Sequence, residues 1–403
     1  MSDKHASFRD AGPRELAAAL QDARDYTLAL FDCLDAAGYG DPQRVPRLPI
    51  VNPPLWELGH TAWFAEWFVL RAATGSQPGE ADGHCLLARG DDWFDSGNVP
   101  HRARWTLDLP GPGAMKTYCR EVLDRILDRL AREPHEDAAL YPYRLALAHE
   151  DMHGEALLYT MQTLGVPVPA ASSKYVAPPA VPAGAIAFAG GTFLRGGDQA
   201  RGFTFDNERA AAPCRVAPFS IDAGLVTNAA YLDFVRDGGY QKPQYWTEAG
   251  RAWLMAQERS APRYWRRDQA DGGDGWHLER FGRLVTLDPG QPVRHLTLHE
   301  ARAWCAWAGR RLPSETEWEF AATAGQPGFA WGQAWEWTAS AFLPWEGFAA
   351  DRYREYSAPW FGSRQTLRGA SFATPARMRS PVFRNFFTPE RDDIFAGFRS
   401  CAL

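Results

Sequence analysis

Apolar side chains recur at helical spacing in four stretches of the first 165 residues. Leu16, Leu20, Ala23, Tyr26 or Thr27, Leu30 and Leu34 outline one amphipathic helix. Trp56, His60, Trp63, Phe64, Trp67 and Leu70 outline a second, for which Asn52 is the expected N-cap and Pro53 the first helical residue. Tyr118, Val122, Leu123, Ile126, Leu127 and Leu130 mark a third. The segment Glu136 to Leu164 marks a fourth, stopped by Gly165. Four helices with one long connection predict a bundle. The connection, residues 75 to 113, carries His101, Arg102 and Arg104. Loops of this length are commonly functional, so it either walls a site or lies solvated on the surface.

After Gly165 the pattern changes. Residues 166–185 are rich in Pro, Ala and Ser and read as a linker. From residue 186 onward glycine rises, strands shorten and helices become few, with helical islands at Thr227–Val235 and Leu298–Trp307. The expected division is a helical bundle at 1–165, a linker at 166–185 and an irregular α+β domain at 186–403.

The chain has 403 residues, 45% of them hydrophobic and 23% charged, which is ordinary for a globular protein of two or three domains. The net charge of -6 gives no basic footprint, so nucleic acid is not an expected partner. No apolar run is long enough to cross a bilayer, and Met1-Ser2-Asp3-Lys4-His5 lacks the apolar core of a signal peptide. The six cysteines are scattered without a C-x-x-C pair, as expected of reduced thiols in a cytoplasmic protein.

The chemistry concentrates in His149-Glu150-Asp151-Met152-His153-Gly154-Glu155. Histidines four apart share one helix face and can grip one metal ion. The string also spells H-E-x-x-H, which marks zinc proteases with the Glu as general base. That reading needs a third ligand shortly downstream, and no Asp, Glu or His lies between Ala156 and Gly197. A third histidine lies upstream instead. His60 sits on the Trp- and Phe-rich stripe of the second helix, where an imidazole finds few partners other than a metal. Glu155 lies off the ligand face by about 160° and reads as structural support. Glu150 and Asp151 read as solvated or as support for the ligands.

The second half carries Gly309-Arg310-Arg311-Leu312-Pro313-Ser314-Glu315-Thr316-Glu317-Trp318-Glu319, Trp335-Glu336-Trp337-Thr338, Leu367-Arg368-Gly369-Ala370-Ser371-Phe372 and Gly397-Phe398-Arg399. In these strings it resembles the formylglycine-generating-enzyme-like domain, a variant of the C-type lectin fold. The resemblance concerns fold and not chemistry. Those enzymes use a late cysteine pair, and Arg377 to Phe387 contains no Cys. The first half resembles a DinB-like four-helix bundle. Together the halves resemble the nonheme-iron sulfoxide synthases of ergothioneine and ovothiol biosynthesis, with their selenoneine-forming relatives. The resemblance implies Fe(II) on His60, His149 and His153, with about three open positions on an octahedral ion for O2 and two substrates.

Asn52-Pro53-Pro54-Leu55-Trp56-Glu57-Leu58-Gly59-His60 and His149-Glu150-Asp151-Met152-His153 look most like the selenoneine-forming branch. Ergothioneine-type enzymes usually carry Gln where this chain has Met152. The ovothiol enzymes usually add a methyltransferase domain, for which a chain ending at Leu403 has no room. Arg384-Asn385-Phe386-Phe387 resembles the stretch that holds hercynine (trimethylated histidine), with Asn385 and Phe386 matching and an aromatic face suited to a quaternary ammonium. The next family position can be an Asp that meets the amino group of an amino-acid thiol. Here it is Phe387, which either packs inside or marks a second substrate without an ammonium group, such as a selenosugar. The family also uses a Tyr after the Trp-x-Trp-Thr string, and none lies between Trp337 and Phe348, so no proton donor is assigned.

The implied reaction is O2-dependent carbon–selenium bond formation between hercynine and a selenosugar. Three alternatives stay open at this point: coupling of hercynine or histidine to a thiol such as γ-glutamylcysteine or cysteine, zinc-dependent hydrolysis, and ligand binding without catalysis.

Overall fold

A computed structural model describes residues 7–71, 83–169, 181–198, 202–209, 211–268 and 275–403. The N-terminal stripes become α1 (Pro13–Ala36), α2 (Pro54–Ala65), a short α3 (Gly90–Phe94), α4 (Pro112–Leu130) and α5 (Asp137–Leu164). The long helices α1, α2, α4 and α5 form the expected bundle, their apolar stripes meeting in one core. Every residue of α2 is buried, so this helix is the centre of the domain. It continues into a π-helical turn, Glu66–Leu70. The C-terminus of α5 is closed by Gly165, whose φ of 68° lies in the left-handed region that glycine tolerates.

The start of α2 differs from expectation by one residue. Pro53 is the N-cap and Pro54 the first helical residue. The side chain of Asn52 is unavailable for capping because its Oδ1 accepts a 2.8 Å hydrogen bond from Arg104 Nη1.

Of the 75–113 connection, residues 83–113 are described and 75–82 lie outside the described residues. The described part is folded back onto α2 and holds α3 and a 3-10 turn, His101–Trp105. Trp56 Nε1 donates to Trp93 O (2.7 Å) and Trp105 Nε1 to Val45 O (2.9 Å), which ties the segment down. Of the proposed linker, residues 170–180 likewise lie outside the described residues.

The second domain is built from small sheets. Strands β1 (Ala185–Phe188) and β4 (Phe219–Asp222) pair, as do β2 (Gly191–Arg195) and β3 (Ala212–Val216). Strands β5 (Trp265–Arg267), β6 (Trp276–Arg280) and β7 (Arg283–Thr286) make an antiparallel meander. The central sheet runs β10-β9-β8-β11, from Asn385–Phe387, Gln365–Ala370, Ala334–Ala341 and Ala396–Gly397. Its β11 is parallel to β8 and the other pairs are antiparallel. The expected islands are α6 (Asn228–Arg236) and α8 (Leu298–Ala308). Two further helices, α7 (Glu248–Gln257) and α9 (Glu315–Thr323), exceed expectation. Each follows a capping signal: Thr247 Oγ1 accepts from Gly250 N, and Ser314 with Glu317 forms a full capping box. Two wholly buried ion pairs, Arg399–Glu336 (2.5 Å) and Arg368–Glu319 (2.6 Å), cross-link the core.

Glu150 and Asp151, expected to be solvated or to support the ligands, are both buried in ion pairs, and Asp151 and Glu155 of α5 dock against the second domain. Glu150 is buried against Arg24 of α1 (3.1 Å). Asp151 is buried in a bidentate pair with Arg377 (2.6 and 2.8 Å). Glu155 has the structural role anticipated for it. Its carboxylate accepts from Trp335 Nε1 (2.9 Å), Ser371 Oγ (2.6 Å) and Thr374 Oγ1 (2.7 Å). Glu155→Leu strands these three donors, each at a cost of about 1–3 kcal/mol. The melting temperature should therefore fall by roughly 6 °C or more, at about 2–4 °C per kcal/mol. An unchanged melting curve would show that the domains do not depend on this contact.

Candidate metal centre and substrate cavity

His60, on α2, is brought to His149 and His153, on α5, by the packing of those two helices. One ligand atom from each lies within 4.8 Å of the other two. The ring centroids are 5.1 Å (60–149), 5.0 Å (60–153) and 4.5 Å (149–153) apart. His60 and His149 are buried and His153 is half-buried.

The imidazoles are oriented by their other nitrogens. His60 Nδ1 lies 2.7 Å from Phe94 O, and a carbonyl only accepts, so the proton is on Nδ1 and Nε2 is left as a lone-pair donor. His153 Nδ1 lies 2.8 Å from Glu57 Oε1, and the same reasoning frees its Nε2. His149 is held differently, with its ring stacked on Phe64 at 3.5 Å and 3°. Its Nδ1 is buried without a hydrogen-bond partner. Such an orphaned buried nitrogen carries a desolvation cost, which ligation of a cation removes when the ring turns that atom inward. Burial first, then the neighbouring imidazoles, lower the pKa of His60 and His149 well below the usual histidine value. Neutral imidazole is the form that binds metal. The donor set therefore fits a borderline divalent cation such as Fe(II) or Zn(II).

Two outcomes follow from these partners. Glu57→Gln keeps the shape of the side chain but removes the carboxylate that accepts from His153 Nδ1 and orients the ring, so metal affinity or turnover should fall about 10–100-fold. Titration of the apoprotein with Fe(II) reads this directly. Because protons compete for nitrogens whose pKa values lie below the usual 6.5, metal should be retained at pH 6 and lost only on stronger acidification. Complete release at pH 6.5 would contradict the burial argument.

His149 and His153 open onto a cavity of about 700 Å³ between the bundle and the lectin-like domain. Met152, Asn385, Phe386 and Phe387 line it, together with His149 and His153. Phe386 stacks on Phe342 at 4.1 Å and meets Tyr356 edge-on at 5.9 Å. Arg384 does not line the cavity, contrary to its expected substrate contact. It is buried, bidentate to Glu315 (2.8 and 3.0 Å), and donates to Asn207 O and Leu343 O. The ion pair with Glu315 at the start of α9 holds the guanidinium inside the second domain instead.

The 83–113 segment walls the cavity with Ser96, Gly97, His101 and Arg104. His101 Nε2 donates to Val51 O at 2.9 Å. Arg104 lies 3.7 Å above the Trp56 ring, and burial lowers its pKa to about 10, so it stays charged at neutral pH. Arg102 is exposed and does not line the cavity.

Several cavity residues escaped the sequence reading. Glu57 precedes His60 by three positions on α2, so the i,i+3 rule already places it on the ligand face. Tyr353 and Tyr356 lie beyond the 337–348 window in which a tyrosine was sought. Tyr353 is packed edge-on against Phe64 (4.9 Å) and His149 (6.0 Å). Burial raises its phenol pKa, so the proton is retained at neutral pH. Tyr356 Oη lies 3.9 Å from Met152 Sδ. Arg391 holds its guanidinium 4.9 Å from the Phe387 ring centroid while pairing with Asp393.

Residues 19–160 match the DinB superfamily, and residues 175–334 and 329–402 match the sulfatase-modifying factor enzyme 1-like domain. The hercynine oxygenase of Mycolicibacterium thermoresistibile is 33% identical over 96% of this chain and 94% of that protein. The chain belongs to the hercynine oxygenase family. The hercynine oxygenase of Mycobacterium tuberculosis is 32% identical over 96% of this chain and 98% of its own length. A formylglycine-generating enzyme of Thermomonospora curvata is 34% identical over 38% of this chain and 54% of its own length. The hercynine oxygenase matches cover nearly the whole chain and so span both domains. No helix among the described residues is long and apolar enough to cross a membrane.

Proposed function

We propose that this chain is an O2-dependent nonheme Fe(II) enzyme that joins hercynine to a selenosugar, giving a hercynyl selenoxide in selenoneine biosynthesis. The observation that carries the reading is the convergence of His60, His149 and His153 within one ligand sphere, beside a cavity lined by His149 and His153, in a chain of the hercynine oxygenase family. The division into a bundle (1–165), a linker (166–185) and a lectin-like domain (186–403) belongs to the same proposal. The reaction balances without an external reductant: the hercynine C–H, the selenol and O2 give the C–Se bond, the Se=O oxygen and one water. Fe(II) on the three histidines would supply activation of O2.

The chain's own residues do the rest. Phe386 and Tyr356 line the cavity with aromatic rings beside which the trimethylammonium group, whose cation cannot donate hydrogen bonds, can lodge. Asn385, beside them, gives a polar edge to the same pocket. Tyr353 holds a proton at Oη for the oxygen atoms that O2 delivers into the cavity. Phe387 and Trp360 present apolar faces where a sugar ring can stack, with the Arg391–Asp393 ion pair beside Phe387. An apolar side chain at position 387 gives an α-ammonium group no carboxylate partner there, which favours a selenosugar over γ-glutamylcysteine or cysteine.

Mass spectrometry of the product from hercynine, Fe(II), O2 and a panel of selenium and sulfur donors tests this. A selenoxide from the selenosugar is expected. Exclusive turnover of γ-glutamylcysteine or cysteine would instead support a sulfoxide synthase. Stoichiometric zinc with O2-independent activity would remove the oxidative reading altogether.

A further inference from the structure

A second, smaller cavity lies on the other side of the domain junction, where α5 meets the β6–β7 turn. Arg280, Arg294, Gln162 and Asn228 line it. Most of its polar groups are already committed. Gln162 Nε2 donates to Glu279 O (3.0 Å) and Gln162 Oε1 accepts from Phe281 N (2.9 Å). Asn228 Nδ2 donates to Asp288 O (2.7 Å). His295 Nδ1 is 3.2 Å from Asp393 O. The acid on this wall, Glu279, turns its carboxylate to Arg266 (2.6 Å).

Two atoms remain. Arg280 Nη2 and Arg294 Nη1 are buried donors with no partner. Arg294 is 9% exposed and packs 4.7 Å from the Phe372 ring centroid, yet among the described residues no carboxylate pairs with it or with Arg280. Burial, and then Arg280, lower the Arg294 pKa to about 9, which still leaves the group charged at neutral pH. A buried guanidinium beside a half-buried one, each with an unused buried N–H, is an arrangement that a counter-charge stabilises.

We propose that this cavity is an anion site, in which a small monovalent anion of chloride size is held by Arg280 Nη2 and Arg294 Nη1. The cavity volume of about 20 Å³ sets the class. It admits one water-sized centre, which suits a halide and is too small for a whole phosphate or carboxylate. A water fills the space equally well but leaves both positive charges uncompensated. The site adjoins the Gln162 tie between the bundle and the β6–β7 turn, so the anion stabilises the seam between the domains. This inference is independent of the metal centre and of the reaction proposed above.

The test uses the full chain. Its melting temperature is measured in sodium chloride, sodium bromide and sodium gluconate at equal ionic strength, and crystals are grown in bromide for anomalous diffraction. A saturable rise on the order of 2 °C is expected with either halide over gluconate. A bromide peak between the two guanidinium groups is expected with it. Arg294→Gln and Arg280→Gln should each abolish both the rise and the peak. Arg280 is only half-buried, so its variant keeps the test usable if Arg294→Gln fails to fold. Identical melting in all three salts with water at the position overturns the proposal, as does a halide response that survives both substitutions.

Discussion

His149→Ala is expected to abolish iron retention and oxidative turnover while leaving a folded bundle. The loss should exceed the roughly 100-fold cost of changing an outer partner of a metal ligand, because a ligand itself is removed. The substitution is informative because His149 is the imidazole with no polar anchor. Its Nδ1 is an orphan, and Phe64 stacking holds the ring. Losing it breaks no hydrogen bond within the protein, so a drop in activity is not explained by a broken network. Anaerobic reconstitution with Fe(II), followed by metal analysis and circular dichroism, separates the outcomes. A folded variant that retains one iron and full activity would place the metal elsewhere. A folded variant without iron, alongside a Glu57→Gln protein with weakened affinity, assigns the centre to this cluster.

The second large effect is expected at Tyr353. Tyr353→Phe removes one hydroxyl and keeps the ring that packs against Phe64, Phe68 and His149. Iron binding and thermal stability should therefore be nearly unchanged. Turnover should fall by about 10²–10⁴-fold, the usual contribution of a positioned proton donor. The natural control is Tyr356→Phe, in which the hydroxyl lost faces Met152 instead. The expected pattern is a large fall in kcat for the first and a rise in the KM for hercynine for the second. Full turnover by Tyr353→Phe would remove it from the proton path and leave the donor unassigned.

Much of the bundle was legible in the chain. The stripes of α1, α2, α4 and α5 are periodic over several turns, and periodicity is a property of one element that survives whatever it packs against. The same holds for Gly165 as a stop and for the one-turn spacing of His149 and His153. In the second domain α7 and α9 were overlooked although Thr247 and Ser314 carry local capping signals. There short helices compete with dense turns, and an isolated cap is easily passed over.

Other positions were illegible for a physical reason. Asn52 is an excellent cap by type, but a hydrogen bond from Arg104, 52 residues away, takes its oxygen. Glu150 and Asp151 look solvated on a charged stretch, yet Arg24 and Arg377 arrive from other parts of the chain to bury them. Arg384 sits among cavity residues in sequence and faces away from them in space, held by Glu315.

The amino-acid sequence alone determines which faces of which helices are apolar and that three imidazoles lie on inward faces. Helical period and i,i+4 spacing are local, and they need no knowledge of partners. Tertiary structure alone decides which nitrogen each imidazole offers, which carboxylate steadies it and which tyrosine reaches the cavity. Those contacts join residues as far apart as Glu57 and His153, or Glu155 and Thr374, separated by 96 and 219 positions. They exist only once the helices of the bundle have packed and, for Glu155 and Thr374, once the domains have docked, because burial makes each unpaired polar group costly and so selects its partner.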